Sequence, residues 1–96
     1  MTKPKGTITV RFFTSIRALT GSKEIQIEAT SIQELIDLLT ARYGEKFRQM
    51  LLEKDGSLKN YFHILVNGRH VRLLKGLQTP LAENDIVAIF PPIGGG

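Results

Sequence analysis

The residues with the clearest chemical potential in this sequence are its last six, Pro91-Pro92-Ile93-Gly94-Gly95-Gly96. Two consecutive prolines hold φ near one value and stiffen an extended path, so the segment is expected to project away from the domain. Ile93 places one apolar anchor between the prolines and the glycines. Glycines lack a Cβ, so a carboxylate following them can be threaded down a channel too narrow for any side chain. A phosphate-cradling glycine loop is excluded, because such loops open a helix and no helix follows. Most terminal glycines are simply frayed ends. Here the prolines, the apolar anchor and the glycines together favour a presented terminal carboxylate on Gly96.

No other constellation in the chain has the spacing of a catalytic site. His63 and His70 fall on adjacent strands opposite different partners, with no third ligand, and read as solvated side chains rather than a metal site. The serines and threonines have no His/Asp partner at a suggestive spacing, and there is no Gly-x-x-x-x-Gly-Lys-Ser/Thr loop for ATP phosphates. Cysteine is absent, which excludes disulfides, zinc-thiolate sites and thiol catalysis by this chain. Glu24, Glu28, Glu34 and Asp37 read as polar faces of a strand and a helix. The expectation is a chain that is not an enzyme by itself, with no metal and no bound cofactor.

The elements that must position the tail can be read from hydrophobic periodicity. Thr7 to Phe13 alternates, with Ile8, Val10 and Phe12 on one face and Thr9, Arg11 and Phe13 on the other, as a strand does. Ser15 to Ser22 reads as a loop containing Gly21. Glu24 to Glu28 is a second strand with Ile25 and Ile27 inward, paired with the first as a hairpin. Ser31 followed by Glu34 has capping-box spacing, in which each side chain satisfies a backbone N–H of the first helical turn. Ile32, Leu35, Ile36, Leu39 and Tyr43 recur on the inner face of that helix, leaving Gln33, Glu34, Asp37 and Thr40 outward. Gly44 suits a left-handed helix end, Phe47, Met50 and Leu51 imply another turn or two, and Lys54-Asp55-Gly56-Ser57 breaks it.

Phe62 to Val66 is a third strand, and Asn67-Gly68 is a type I′ hairpin signal. The register it sets places Val66 against Arg69, Leu65 against His70, Ile64 against Val71 and His63 against Arg72, with Leu73 continuing on the inner face. Ile86 to Phe90 is a closing strand, apolar on both faces as a central strand should be, and Pro91-Pro92 must stop it because proline cannot donate to the ladder. The order ββ-α-ββ-β gives an α+β roll, a mixed sheet packed on one main helix. If Val87 and Ile89 face that helix, then Ile86, Ala88 and Phe90 share the open face with Arg11, Phe13, His63, Leu65, His70 and Arg72. An apolar centre with basic surroundings on an open sheet is a candidate partner surface.

Composition sets the outer bounds. Ninety-six residues make one domain, and 42% hydrophobic content rules out wholesale disorder. Thirteen basic against nine acidic residues give a net charge of +4. The cations are scattered from Lys3 to Lys75 rather than striped, which argues against nucleic acid as the partner. No apolar run is long enough to span a membrane, and Met-Thr-Lys-Pro-Lys leads into no secretory h-region, so a cytoplasmic protein is expected.

The chain resembles the ubiquitin-like sulfur carriers of the MoaD/ThiS type, most closely the small subunits of molybdopterin synthase. The residues that carry the resemblance are Val10-Arg11-Phe12-Phe13 with Ile16-Arg17-Ala18-Leu19-Thr20-Gly21, then Val66-Asn67-Gly68, then Asp85 through Phe90 and the ending Pro91-Pro92-Ile93-Gly94-Gly95-Gly96. The Phe-Pro-Pro-x-x-Gly-Gly ending is specific, and its coincidence with the chain terminus strengthens it. The resemblance implies a β-grasp, ubiquitin-like fold over residues 1–90 and an extended glycine tail over 91–96. Two departures stand out: Gly94 is a third glycine where the family usually has another small residue, and the stretch from Leu51 to Phe62 is longer than in the shortest members.

The resemblance also implies a mechanism. An activating enzyme of the ubiquitin-activating type uses ATP and Mg²⁺ to adenylate the carboxylate of Gly96, and sulfur from a donor enzyme replaces AMP to leave a thiocarboxylate. In the molybdopterin branch the tail, with Ile93, Gly94 and Gly95 inserted, enters a large catalytic subunit. Phe90 matches a family interface position, and Pro91, Pro92, Leu65, Arg11 and Phe13 are expected beside it at the partner surface; Arg17 matches as well. Similar chains feed sulfur to cysteine or thiamine synthesis or act as ubiquitin-like modifiers joined to lysines, and these remain alternatives.

Overall fold

The computed structural model describes residues 6–92, so the expected tail from Ile93 to Gly96 lies outside the described residues. The first strand, β1 (Thr7–Phe12), buries Ile8, Val10 and Phe12 completely, as its alternation requires. It pairs antiparallel with β2 (Glu24–Glu28), where Ile25 and Ile27 are half-buried against the core.

Between them the expected loop is instead a short helix, α1 (Ser15–Thr20). Ile16 is fully buried and anchors it, while Gly21, at φ 74°, closes it by donating its N–H to the Arg17 carbonyl at 2.8 Å. Gly21 therefore acts as a left-handed helix cap rather than as a loop residue.

The main helix, α2 (Ile32–Tyr43), starts where Ser31 Oγ accepts from the Glu34 N–H at 3.1 Å. The Glu34 carboxylate reaches back to Thr30, accepting from its N–H at 2.7 Å and its hydroxyl at 3.1 Å. Thr40, expected outward, is buried: its hydroxyl donates to the Ile36 carbonyl at 2.7 Å, and a hydroxyl satisfied by its own helix can face the core. Gly44 ends α2 with φ 99° and ψ 170°, a positive-φ conformation that is extended in ψ rather than left-handed helical. It serves as the joint to α3 (Glu45–Leu51), which brings Phe47 and Leu51 into the core. There Phe12 meets Tyr43 and Phe47 edge-on, with ring centroids 6.1 and 6.5 Å apart.

The segment after α3 is a closed turn. Leu52 bridges to Leu58, the Glu53 N–H donates to the Ser57 carbonyl at 2.7 Å, and Lys59 returns its N–H to the Leu51 carbonyl at 2.9 Å. Strand β3 (His63–Val66) follows, and both Asn67 (φ 52°) and Gly68 (φ 85°) take the positive φ of a primed hairpin turn. Leu65 pairs with His70 and Val66 with Arg69 as the turn dictates.

The ladder stops there, and the expected pairs Ile64–Val71 and His63–Arg72 do not form. Strand β4 is only Arg69–His70, and Val71–Leu73 turns into a 3₁₀ helix. The His70 ring caps this turn by accepting the Arg72 N–H on Nδ1 at 3.1 Å. The Arg72 guanidinium holds the turn in place through the carbonyls of Lys59 (2.7 Å) and Phe62 (3.3 Å). Val71 still reaches the core, but Leu73, expected inward, is 82% exposed. A second 3₁₀ turn, Gly76–Gln78, leads towards β5 (Ile86–Phe90).

The sheet order is β2-β1-β5-β3-β4, with β1 and β5 parallel and the other neighbours antiparallel. The last strand is therefore the central one, as its apolar sequence implies, with α2 and α3 on one face. Among the described residues no helix is long and apolar enough to cross a membrane.

Ile64, 1% exposed on β3, tests the core directly. Ile64→Ala should destabilise the domain by about 2–5 kcal/mol in denaturant unfolding, through lost apolar burial and the cavity left behind. Leu73→Ala, on a side chain that buries almost nothing, should stay within about 0.5 kcal/mol of the parent.

Candidate functional site

The face of the sheet turned away from the helices is organised in rows. Glu24, Arg11, Ala88, Leu65 and His70 are successive cross-strand partners, so their side chains share that face across all five strands. One row further towards the end of β5, Phe90 lies opposite His63. Phe13, the residue after β1, stacks on Phe90 with centroids 4.3 Å apart and planes at 14°. At the other end of β5, Ile86 is 38% exposed. The face thus has an apolar centre of Leu65, Ala88, Phe13 and Phe90, all only partly buried.

The charged rim differs from side to side. Arg11 is neutralised by Glu24 at 3.2 Å, both being half-exposed. Arg72 is held by backbone carbonyls and makes no ion pair among the described residues. Arg17 donates its Nε to the Phe12 carbonyl at 3.3 Å and so ties α1 to the end of β1.

The two histidines, expected as solvated side chains rather than a metal site, meet each other. His63 Nδ1 lies 3.0 Å from His70 Nε2, with ring planes at 81°. The hairpin register contains the reason. His70 faces Leu65, and His63 stands two residues before Leu65 on the same face, which is the diagonal position within reach across a strand pair.

The Arg72 N–H selects the tautomer of His70. Because His70 Nδ1 accepts it, the neutral His70 ring carries its proton on Nε2, the atom that lies 3.0 Å from His63 Nδ1 and 3.3 Å from the Arg72 guanidinium Nη1. Burial, then the charge of Arg72, then His63, hold the His70 pKa below the ordinary histidine value. A proton added to His70 Nδ1 would displace the Arg72 N–H, so charging this ring opposes the cap of the 3₁₀ turn. Among the described residues no three or more histidine, cysteine or acidic side chains gather as a metal site.

Phe90, Pro91, Pro92, Phe13, Leu65 and Arg11 therefore belong to one continuous face and its exit. Pro91 is buried against the domain and Pro92 is exposed, so the chain leaves the sheet between them. Ile93, Gly94, Gly95 and Gly96 lie outside the described residues. The arrangement offers a rigid apolar platform at the foot of the tail.

Comparison with known proteins agrees with this architecture. The sequence profile of the ThiS family matches residues 10–96. The small archaeal modifier protein 3 of Haloferax volcanii is 32% identical over 90 residues, covering 91% of this chain and 96% of its own. The sulfur carrier protein CysO of Mycobacterium tuberculosis is 34% identical over 91 residues, covering 93% of this chain and 98% of its own. A chain in the crystal structure of the Amycolatopsis orientalis BexX/CysO complex superposes with a TM-score of 0.78 at 31% identity, covering 93% of this chain and 99% of that one. With the mixed five-stranded sheet wrapped on α2, these matches establish a ubiquitin-like β-grasp domain, and the chain belongs to the ThiS family of small sulfur-carrier and modifier proteins.

Proposed function

We propose that this protein carries sulfur on its C-terminal glycine. A carboxylate is a poor electrophile because its leaving group would be oxide. An activating enzyme of the ubiquitin-activating type, using ATP and Mg²⁺, joins the Gly96 carboxylate to AMP and releases pyrophosphate. Sulfide then attacks the acyl carbon and AMP departs, leaving the thiocarboxylate. With a persulfide donor the first product is an acyl disulfide, and a thiol reduces it to the same species.

The observation that carries the reading is the position of β5. It is hydrogen-bonded on both sides, so Phe90 and Pro91 are fixed and the tail has a rigid base from which to enter a partner's site. Tethering raises the local concentration of the sulfur donor without releasing free sulfide.

The open face around Phe90 is the surface on which the partner docks, with Leu65, Phe13 and Arg11 beside it. The tail motif supports the large subunit of molybdopterin synthase as the acceptor. The names of the relatives support sulfur carriage and protein modification alike. A second reading therefore has Gly96 ending in an isopeptide bond to a lysine. Both begin with the same adenylate and both belong in the cytoplasm. Intact-mass analysis of protein purified from its own cells separates them: a sulfur-for-oxygen increment marks carriage, and lysine-linked adducts mark modification.

Appending one alanine after Gly96, or deleting Gly95-Gly96, should abolish sulfur transfer while leaving the unfolding midpoint unchanged. The extension moves the reactive carboxylate by about 3.3–3.6 Å and adds a Cβ. A misplacement of about 1 Å already costs on the order of 100-fold in a positioned reaction. Wild-type transfer rates from the extended protein would remove Gly96 from the mechanism.

Phe90→Ala should fold normally and bind the activating enzyme or the sulfur acceptor about tenfold more weakly by calorimetry, as loss of an apolar anchor does. Unchanged affinity for both would move docking off this face.

A further inference from the structure

At the end of β5 away from Phe90, a groove of about 660 Å³ opens between the β3–β4 turn and the segment carrying the two 3₁₀ turns. That volume is in the range of ligand-binding clefts. Its floor is made by Val66 and Thr79, both buried, and its walls by Leu74 and Pro80. Arg69 and Lys75 stand on the rim.

Neither cation has a side-chain hydrogen bond or ion pair among the described residues, and no acidic residue lines the groove. Of the two acids in the neighbouring turn, Glu83 is exposed and does not line the groove, and Asp85 is already engaged. Its two oxygens accept from Asn67 Nδ2 and from the Ala82 N–H, each at 2.9 Å.

Beside this basic rim the molecule exposes two consecutive leucines, Leu73 at 82% and Leu74 at 38%. Leu73 gains almost nothing from the fold and Leu74 keeps more than a third of its surface bare, and such exposure next to a groove marks a surface for a partner. An anion alone would not use them. A peptide bearing carboxylates and an apolar residue would use both the leucines and the cations.

We infer that this groove binds an acidic, partly apolar peptide segment of a partner protein. Arg69 and Lys75 pair with its carboxylates, and Leu74, with Leu73 beside it, receives its apolar side chain. The site is independent of the tail. Ile86, at the start of β5, is hydrogen-bonded to Asn67 of the hairpin turn, whereas Phe90 at the other end leads into the tail. The two ends of that strand are roughly 13 Å apart at strand rise, so a peptide held in the groove leaves the tail free to be activated.

The test is fluorescence anisotropy on the full chain with a labelled probe peptide, Glu-Glu-Asp-Leu-Ile-Glu-Asp. The expected result is binding with a Kd below about 1 mM at physiological salt. Arg69→Glu with Lys75→Glu should weaken it at least about tenfold, and Leu74→Ser should weaken it without any change of charge. Lys23→Glu with Lys46→Glu, two exposed cations outside the groove, makes the same change in net charge and should leave binding close to wild type.

Amide shifts on adding the probe should centre on Val66, Arg69, Leu74 and Thr79 and leave Ala88 and Phe90 unmoved. The Gly95-Gly96 deletion should bind the probe unchanged, which keeps this proposal separable from sulfur carriage. Equal loss in the two charge-reversed pairs, displacement of the probe by free phosphate at constant ionic strength, or shifts centred on the open face would each overturn it. Circular dichroism of every variant, matching the parent, establishes that loss of binding is not loss of fold.

Discussion

The position of one strand governs this molecule. Ile86–Phe90 is inserted between β1 and β3, parallel to the first and antiparallel to the second, so its backbone is bonded on both sides. Val87 and Ile89 are completely buried under the helices, while Ile86, Ala88 and Phe90 form the middle of the opposite face. The same short segment therefore supplies core, platform and the foot of the tail. A central strand is the least prone of all to fray, because leaving it breaks two ladders at once. Phe90, Pro91 and Pro92 leave the sheet from a strand held on both sides.

The rest of the sheet follows from holding β5 in place. Strand β1 carries the fully buried Ile8, Val10 and Phe12, and Phe12 ties the sheet to α2 and α3 through its edge contacts with Tyr43 and Phe47. On the outer face the stack of Phe13 on Phe90 repeats the β1–β5 pairing in side chains. It leaves an apolar surface where the chain departs.

At the far side of the sheet, a polar network replaces a ladder. His70 caps the first 3₁₀ turn, Arg72 fastens it to the loop before β3, and His63 completes a ring pair with His70. Shortening β4 to Arg69–His70 turns the chain off the sheet edge. The following segment then puts Val71 inside and Leu73 and Leu74 outside. The exposed leucines and the basic groove beside them are products of that early turn. Two surfaces result, one at each end of β5.

The local patterns were enough for most of the framework. Alternation in Thr7 to Phe12, the Ser31 cap with helical spacing through Tyr43, the Asn67-Gly68 turn and the doubly apolar Ile86 to Phe90 each have a physical meaning that needs no partner element. From them come the mixed sheet, its central strand and the two faces, and the Phe-Pro-Pro-x-x-Gly-Gly ending adds the family resemblance. Features set by long-range contacts were not legible in the same way. Ser15 to Thr20 is helical because Ile16 finds a core pocket. Thr40 is a local exception that periodicity also misses: its hydroxyl donates to the Ile36 carbonyl of the same helix and so can face the core. Val71 leaves the strand because the Lys59 and Phe62 carbonyls, more than nine residues away, hold Arg72. Periodicity describes the solvent a segment expects on each side. Which neighbour arrives to replace that solvent, and so whether two histidines meet or a leucine is left bare, is decided only when the elements pack.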